Sequence, residues 1–286
     1  MSTLRLRDVL AALEEMYPID SAQPWDRVGL VTGDPDQPVR RVHAAVDPTL
    51  EVIEEAREAG ADLLITHHPL LLRGVHSVAT TSAKGASVTS LVVSDIALYV
   101  AHTNADVADP GVNTALAQAC GLTGTEPLTA GEGALGRVGD LAVEVSLATF
   151  AERLADALPP APGGIRVSGP ADGRVRRVAL LGGAGDGLID AARAAGADVY
   201  VTADLRHHPA LEAREEARAG GGTPFLVDAG HWASESLWLE HLLVRLRNCL
   251  AAAGADVVGW DGHVSTICTD PWTFTVGAQT AQGDPQ

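Results

Sequence analysis

Residues 42–66 align without a gap on residues 178–202, at an offset of 136, and nine of the 25 positions are identical. The identity concentrates in Ala56-Arg57-Glu58-Ala59-Gly60-Ala61-Asp62 against Ala192-Arg193-Ala194-Ala195-Gly196-Ala197-Asp198. A unit of this length that occurs twice commits the chain to building one supersecondary motif twice. Residues 42–46 and 178–181 are short apolar runs, followed by Asp47-Pro48-Thr49 in one copy and Gly182-Gly183-Ala184-Gly185-Asp186 in the other. Helical segments carry Leu50, Ile53, Glu54 and Arg57, or Leu188, Ile189, Ala192 and Arg193, and close on Gly60 and Gly196 as C-caps. Strands at 63–65 and 199–201 follow at βαβ spacing.

Each copy is followed by another apolar strand and helix, at 96–101 with 113–119 and at 225–227 with 234–246. The expected fold is α/β, in two pseudo-repeated halves, residues 1–128 and 129–269. A connection rich in Gly, Thr and Ala spans 123–136, and the Pro/Gly run at 158–164 is a loop inside the second half. Polar composition makes 270–286 an expected disordered tail.

The strand ends carry the chemistry. Leu63-Leu64-Ile65-Thr66 runs into His67-His68-Pro69, and Leu98-Tyr99-Val100-Ala101 into His102-Thr103-Asn104-Ala105-Asp106. Phe225-Leu226-Val227-Asp228 leads to Gly230 and His231, with Glu235 four residues on. Val199-Tyr200-Val201-Thr202-Ala203 ends in Asp204, with His207-His208-Pro209 close behind. Buried strands that end in such residues deliver them to one rim of the sheet, where α/β proteins place their sites.

Pro69 biases His68 toward extended or turn geometry, and only at a strand end do neighbouring side chains converge. Two ions side by side let each of the two histidines take its own. The i,i+4 spacing of His231 and Glu235 puts both on one helix face, although a helix start favours a carboxylate there in any case. With Asp106 the candidate ligands become His67, His68, Asp106, His231 and Glu235, with the glutamate as bridge. Imidazoles mixed with carboxylates select Zn, Fe, Mn or Co, so the expectation is two divalent metal ions per subunit. Such ions acidify a bridging water and clamp a polar substrate.

Charge and hydropathy exclude other classes. Lysine and arginine number 20 against 37 acidic residues, a formal charge of −17, and Lys84 is the only lysine. That balance argues against a nucleic-acid partner, which needs phosphates neutralised. No apolar run approaches the roughly 18 residues of a membrane span, and Leu6, Val9, Leu10 and Leu13 mark an amphipathic N-terminal helix in place of a secretory signal. Three widely spaced cysteines suggest neither a disulfide framework nor a thiolate zinc site, and point to a reducing cytoplasm.

Trp25-Asp26-Arg27-Val28-Gly29-Leu30, Thr66-His67-His68-Pro69-Leu70, Ala101-His102-Thr103-Asn104-Ala105-Asp106 and Gly111-Val112-Asn113 form one ordered series in the first half. Thr202-Ala203-Asp204 with His208, and Gly230-His231-Trp232-Ala233-Ser234-Glu235, continue it in the second. Through these segments, which run from residue 25 to 235, the chain resembles the dinuclear-metal, ring-forming GTP cyclohydrolase I type 2-like family, also called NGG-interacting-factor-like. Arg27 stands where the family often has Asn, Ala203 where Gly is usual, and His207 is extra.

The resemblance implies the same five metal ligands, a short form without an inserted domain, and a homohexamer built as a trimer of dimers. It settles fold and site better than reaction. A metal-dependent hydrolase of a nucleotide or related small molecule is one class, and a non-catalytic metal-binding ring or scaffold is the other. In the hydrolase reading His208 moves the proton and Asp204 orients it or holds a substrate hydroxyl.

Overall fold

The computed structural model describes residues 4–131 and 133–277, so residues 278–286 of the expected tail lie outside the described residues. Residues 270–277, expected to be disordered with them, are held by bonds such as that from Thr275 to the Pro162 carbonyl, and the expectation is corrected there. In chain order the strands are β1 (Gly29–Thr32), β2 (Arg41–Ala45), β3 (Leu63–Thr66), β4 (Ala97–Val100), β5 (Leu122–Pro127) and β6 (Arg137–Ser146). They continue as β7 (Arg166–Ser168), β8 (Arg174–Ala184), β9 (Val199–Ala203), β10 (Phe225–Asp228) and β11 (Asp261–Val264). They form a five-stranded sheet, β1-β4-β3-β2-β11, and a six-stranded sheet, β5-β6-β8-β9-β10-β7.

The two repeat copies occupy equivalent places. β2 and β3 pair in parallel with Val42 opposite Leu63, as do β8 and β9 with Val178 opposite Val199. Between them run the helix Leu50–Glu58, capped by Thr49 Oγ1 on Val52 N, and the helix Ile189–Ala194. The Gly60 and Gly196 turns both have positive φ, the conformation a helix C-terminus needs and glycine adopts without penalty.

Alternation along the strands gives each sheet two buried faces, as parallel sheets require. Val42, Ala44, Leu63 and Ile65 pack on helices Leu6–Met16 and Trp238–Ala252. Ala45, Leu64 and Leu98 pack instead on Val52, Ile53 and Leu91 of the helices across the other face. In the second sheet, Val178, Leu180, Val199 and Val201 meet Leu116, Phe150 and Leu154, while Ala179, Tyr200 and Leu226 meet Ile189, Ala192 and Ala213.

Four local expectations are revised. The 123–136 connection begins as an edge strand, β5, paired antiparallel with β6. The glycine run at 182–185 does not end β8, which continues to Ala184. The helix expected at 234–246 is two, His231–Ser236 and Trp238–Ala252, and the second buries Leu239, Leu242, Leu243 and Leu246 in the core. That apolar stripe is therefore not free for a subunit contact. Lastly, the sheets do not divide the chain at residue 128. β5 already belongs to the second sheet, while β11 returns to pair in parallel with β2.

Parallel strands β3, β4, β9 and β10 deliver their C-terminal ends to the region where the two sheets meet. No helix among the described residues is long and apolar enough to cross a membrane.

Candidate metal centre

His67 and His68 leave the end of β3 with their backbone amides bonded to the carbonyls of Ala45 and Val46 on the next strand. The Thr66 hydroxyl donates to the His68 carbonyl at 2.9 Å and fixes the turn. Past β4, the short helix Thr103–Val107 presents Asp106, whose carbonyl accepts from Asn113 Nδ2. Asn113 Oδ1 in turn accepts from Gly182 N at 2.8 Å, a bond between the halves. Past β10, Gly230 adopts φ +77° to start the helix that carries His231 and Glu235 on one face.

These side chains converge. Glu235 Oε1 lies 3.4 Å from His67 Nε2 and 3.2 Å from His231 Nε2, and Glu235 Oε2 lies 3.0 Å from His68 Nε2. Asp106 Oδ1 is 3.8 Å from His67 Nε2. Glu235 and Asp106 are buried, as is His67. Gly183 makes room for the glutamate: at φ +70°, a Cβ there would sit 2.1 Å from Glu235 Oε1.

The imidazoles share one orientation. His67 Nδ1 donates to the Ala101 carbonyl at 2.9 Å, His68 Nδ1 to Asp47 at 2.7 Å, and His231 Nδ1 to Asp204 at 2.7 Å. His102 Nδ1 donates to Asp26 at 2.9 Å. Tying Nδ1 to an outer acceptor sets the tautomer and aims Nε2 inward, the arrangement of metal-binding histidines. His67, His68 and His102 form one grouping able to hold an ion, and His68, His231 and Glu235 another.

Three buried atoms test whether a metal fits: His67 Nε2 and Asp106 Oδ1 have no hydrogen-bond partner, and Glu235 Oε2 has only His68 Nε2 at 3.0 Å. Buried polar atoms left unpaired are costly, and a cation among them would satisfy all three. The donors are nitrogen and oxygen only, the set that suits Zn, Fe, Mn or Co. The residues fit a divalent metal.

Protonation follows the same field. Burial works against charge on Glu235, yet His68, His67 and His231 hold its carboxyl well below the ordinary range. Burial also opposes charge on His68 and His231, but Glu235, with Asp47 and Asp204 behind, pushes them up to about 11 and about 9. Asp106 is pushed up to about 8 by burial and by the neighbouring Glu235 charge. The ring thus gathers protons around a buried carboxylate where cations would otherwise stand.

All five expected ligands, His67, His68, Asp106, His231 and Glu235, meet here. His208 does not: it is exposed at the start of helix His207–Ala219, with its ring against His207. Asp204 bonds His231 and not His208, and it holds φ +53°, a conformation that Asp tolerates better than most residues. His102 was absent from the expected ligands, although it stands four residues before Asp106, the spacing that singled out His231 and Glu235. Asp26 accepts from His102, from Arg27 N and from Thr103 N and Oγ1. Those bonds outweigh its burial and hold its carboxyl below the usual range. The Arg27 guanidinium bonds the Asp26 carbonyl, which gives that position a role in the same turn.

Two sheets with covered faces, whose strand ends converge on imidazoles and carboxylates, define the class: an α/β protein with a candidate metal centre between its halves. A family model for DUF34/NIF3, NGG1p interacting factor 3, matches residues 4–263. The chain belongs to that family. A "GTP cyclohydrolase 1 type 2 homolog" of Streptomyces coelicolor is 47% identical, with 98% of this chain and 99% of the relative covered. The protein of the same name from Mycobacterium tuberculosis is 34% identical over 382 aligned positions, covering 95% of this chain and 97% of its own. Since this chain has 286 residues, it is the shorter form. A Bacillus cereus protein related to NIF3 has a similar structure, with a TM-score of 0.84, 27% identity and 96% and 100% of the two chains covered.

Proposed function

We propose that this protein is a dinuclear divalent-metal hydrolase acting on a nucleotide or related small molecule. The observation that carries the reading is the set of inward-facing Nε2 atoms around two buried carboxylates, with His67 Nε2 and Asp106 Oδ1 unpaired. His67, Asp106 and Glu235 would hold one ion, and His68, His231 and Glu235 the other. Bound there, divalent ions supply Lewis acidity and lower the pKa of water.

The rest is done by the chain. Glu235 reaches both groups with one carboxylate, so it fixes their separation. Ala101, Asp47 and Asp204 hold His67, His68 and His231 in a single tautomer, which spares reorganisation during the reaction. His102 lies beside His67 and His68, and with its Nδ1 held by Asp26 its Nε2 is the ring nitrogen left for the centre. Asp26 keeps the proton on His102 Nδ1, and Nε2 is the atom placed to accept one. In this reading His102 takes the proton-transfer role that the hydrolase reading of the sequence gave to His208.

We place the protein in the cytoplasm, in line with its three free cysteines, and as a hexameric trimer of dimers with no nucleic-acid or membrane partner. Metal analysis of the purified chain should find close to two divalent ions per subunit, and Glu235→Gln should lose most of both. Incubation with a panel of nucleotides, followed by mass spectrometry of the products, separates the two classes. Metal-dependent turnover supports the hydrolase. Tightly held metal with no turnover on any member leaves the binding ring or scaffold.

A further inference from the structure

Beyond residue 263, where the family-model match ends, the chain continues as an ordered segment against the metal centre. β11 is anchored by pairing with β2, and Ser265 extends the join: its amide donates to the Ala44 carbonyl and its hydroxyl to Glu55. The Thr269 hydroxyl then donates to Asp47 Oδ2, while Asp47 Oδ1 accepts from the ligand histidine His68. Six residues on, the Thr275 hydroxyl donates to the Pro162 carbonyl at 2.8 Å, in the second-half loop. Between these two anchors the segment forms one side of a cleft of about 650 Å³. His68 and His231 lie in that cleft, and Asp270, Pro271 and Trp272 contribute to its wall.

We propose that residues 269–275 are a specificity-determining wall of the metal centre, with Trp272 as the face an incoming molecule meets and Thr269 as its positioning residue. The proposal rests on the metal-centre reading. Three features support it. The segment is tied at both ends to different halves, so it bridges them at the site. Its first anchor shares a carboxylate with a ligand histidine, so displacement of the segment also frees Asp47 from one of its two partners. Its indole is large and 68% exposed although it borders the cleft, so a molecule entering there can cover it. The class admitted is a small molecule with a planar apolar face to lie on the indole and an oxygen or nitrogen donor to reach the ions.

The test reads access and not turnover. The full chain is loaded with cobalt, and extraction of the metal by pyridine-2,6-dicarboxylate, a planar chelator, is followed by absorbance. Trp272→Ala removes a face the chelator must pass or lie on, and should change the extraction rate. Thr269→Val removes one hydrogen bond to a carboxylate and should speed extraction by about tenfold. Val276→Ala, a substitution of an exposed side chain outside the cleft wall, should leave the rate unchanged. If Trp272→Ala and Thr269→Val both release metal at the parent rate, the wall assignment is overturned. A parent chain that takes up no cobalt overturns the metal-centre reading instead, and the two failures cannot be confused.

Discussion

At the scale of single residues, one glycine shows how tightly this centre is built. Gly183 lies at φ +70° on a strand, with Glu235 Oε1 in the space a Cβ would take. Gly183→Ala therefore meets a backbone penalty and displaces the carboxylate that both ion groups share. We expect a loss of about 1–3 kcal/mol in denaturant unfolding, together with metal content well below that of the parent. A variant that unfolds like the parent and keeps its metal would show that the glycine is incidental. The two histidine candidates for proton transfer separate as cleanly. His102→Ala should lower turnover by roughly 10²–10⁴-fold, with metal content measured alongside because His102 also belongs to a grouping able to hold an ion. His208→Ala should leave turnover unchanged, measured as initial rates on any substrate the nucleotide panel identifies.

Much of this site was legible in the chain because its ligands sit at the ends of apolar runs and at helical spacing. The second tier was not. Asp26, Asp47 and the Ala101 carbonyl act by where they fall in space, 76, 21 and 34 residues from the histidines they hold. Nothing about an isolated Asp in a loop marks it as the partner of a distant imidazole. Gly183 was hidden for the opposite reason, since a glycine run after a strand reads as a loop until the carboxylate pressing on it is known.

At the scale of elements, the join between β2 and β11 is where acid should act. His43 on β2 is buried, donates to Glu55 at 2.9 Å and lies in register with His263 of β11, ring centres 5.1 Å apart. Burial lowers the pKa of His43, helped by His263 and only partly opposed by Glu55. Glu55 is also lowered, because bonds from Ser265 and His43 outweigh its burial. Both folded values lie below the ordinary ones of 6.5 and 4.5, so both groups stabilise above those values. That stability drains as pH falls, first through the histidine and then through the carboxylate. In metal-free protein His43 favours a drop in unfolding free energy as pH goes below about 6.5, while Asp106, raised to about 8, works the other way over the same range. The contribution is therefore read by difference: His43→Gln should lose less unfolding free energy than the parent as pH falls below that point. Superimposable pH profiles for parent and variant would contradict the assignment.

The same join explains a failure of sequence reading at this scale. Asp-Gly-His-Val at 261–264 shows no alternation of apolar and polar residues, because it is an edge strand paired on one side only. Such a strand leaves almost no periodic trace. The repeated βαβ cores were legible for the converse reason: they are buried on both faces, and burial selects continuous Val, Leu and Ile.

At the scale of the whole molecule, the charge of −17 keeps copies apart unless a specific interface holds them. The proposed hexamer is therefore expected to persist at moderate salt, where repulsion is screened, and to be visible by light scattering at micromolar concentration. A monomer under those conditions would refute it. Since the proposed ligands come from both halves, metal should also raise the melting temperature of the molecule as a unit.

The return of the chain end to the first sheet bears on how the protein is made. His67 and His68 emerge early from the ribosome, but His231 and Glu235 follow more than 160 residues later, and the helix Trp238–Ala252 that covers their sheet comes later still. β11, the strand that completes that sheet, follows that helix in turn. A nascent chain can thus hold no finished centre until residue 235 has emerged. Loading is confined to chains that extend past residue 235, and a product cut short before residue 261 should leave the ribosome with β2 as the uncovered edge of its first sheet.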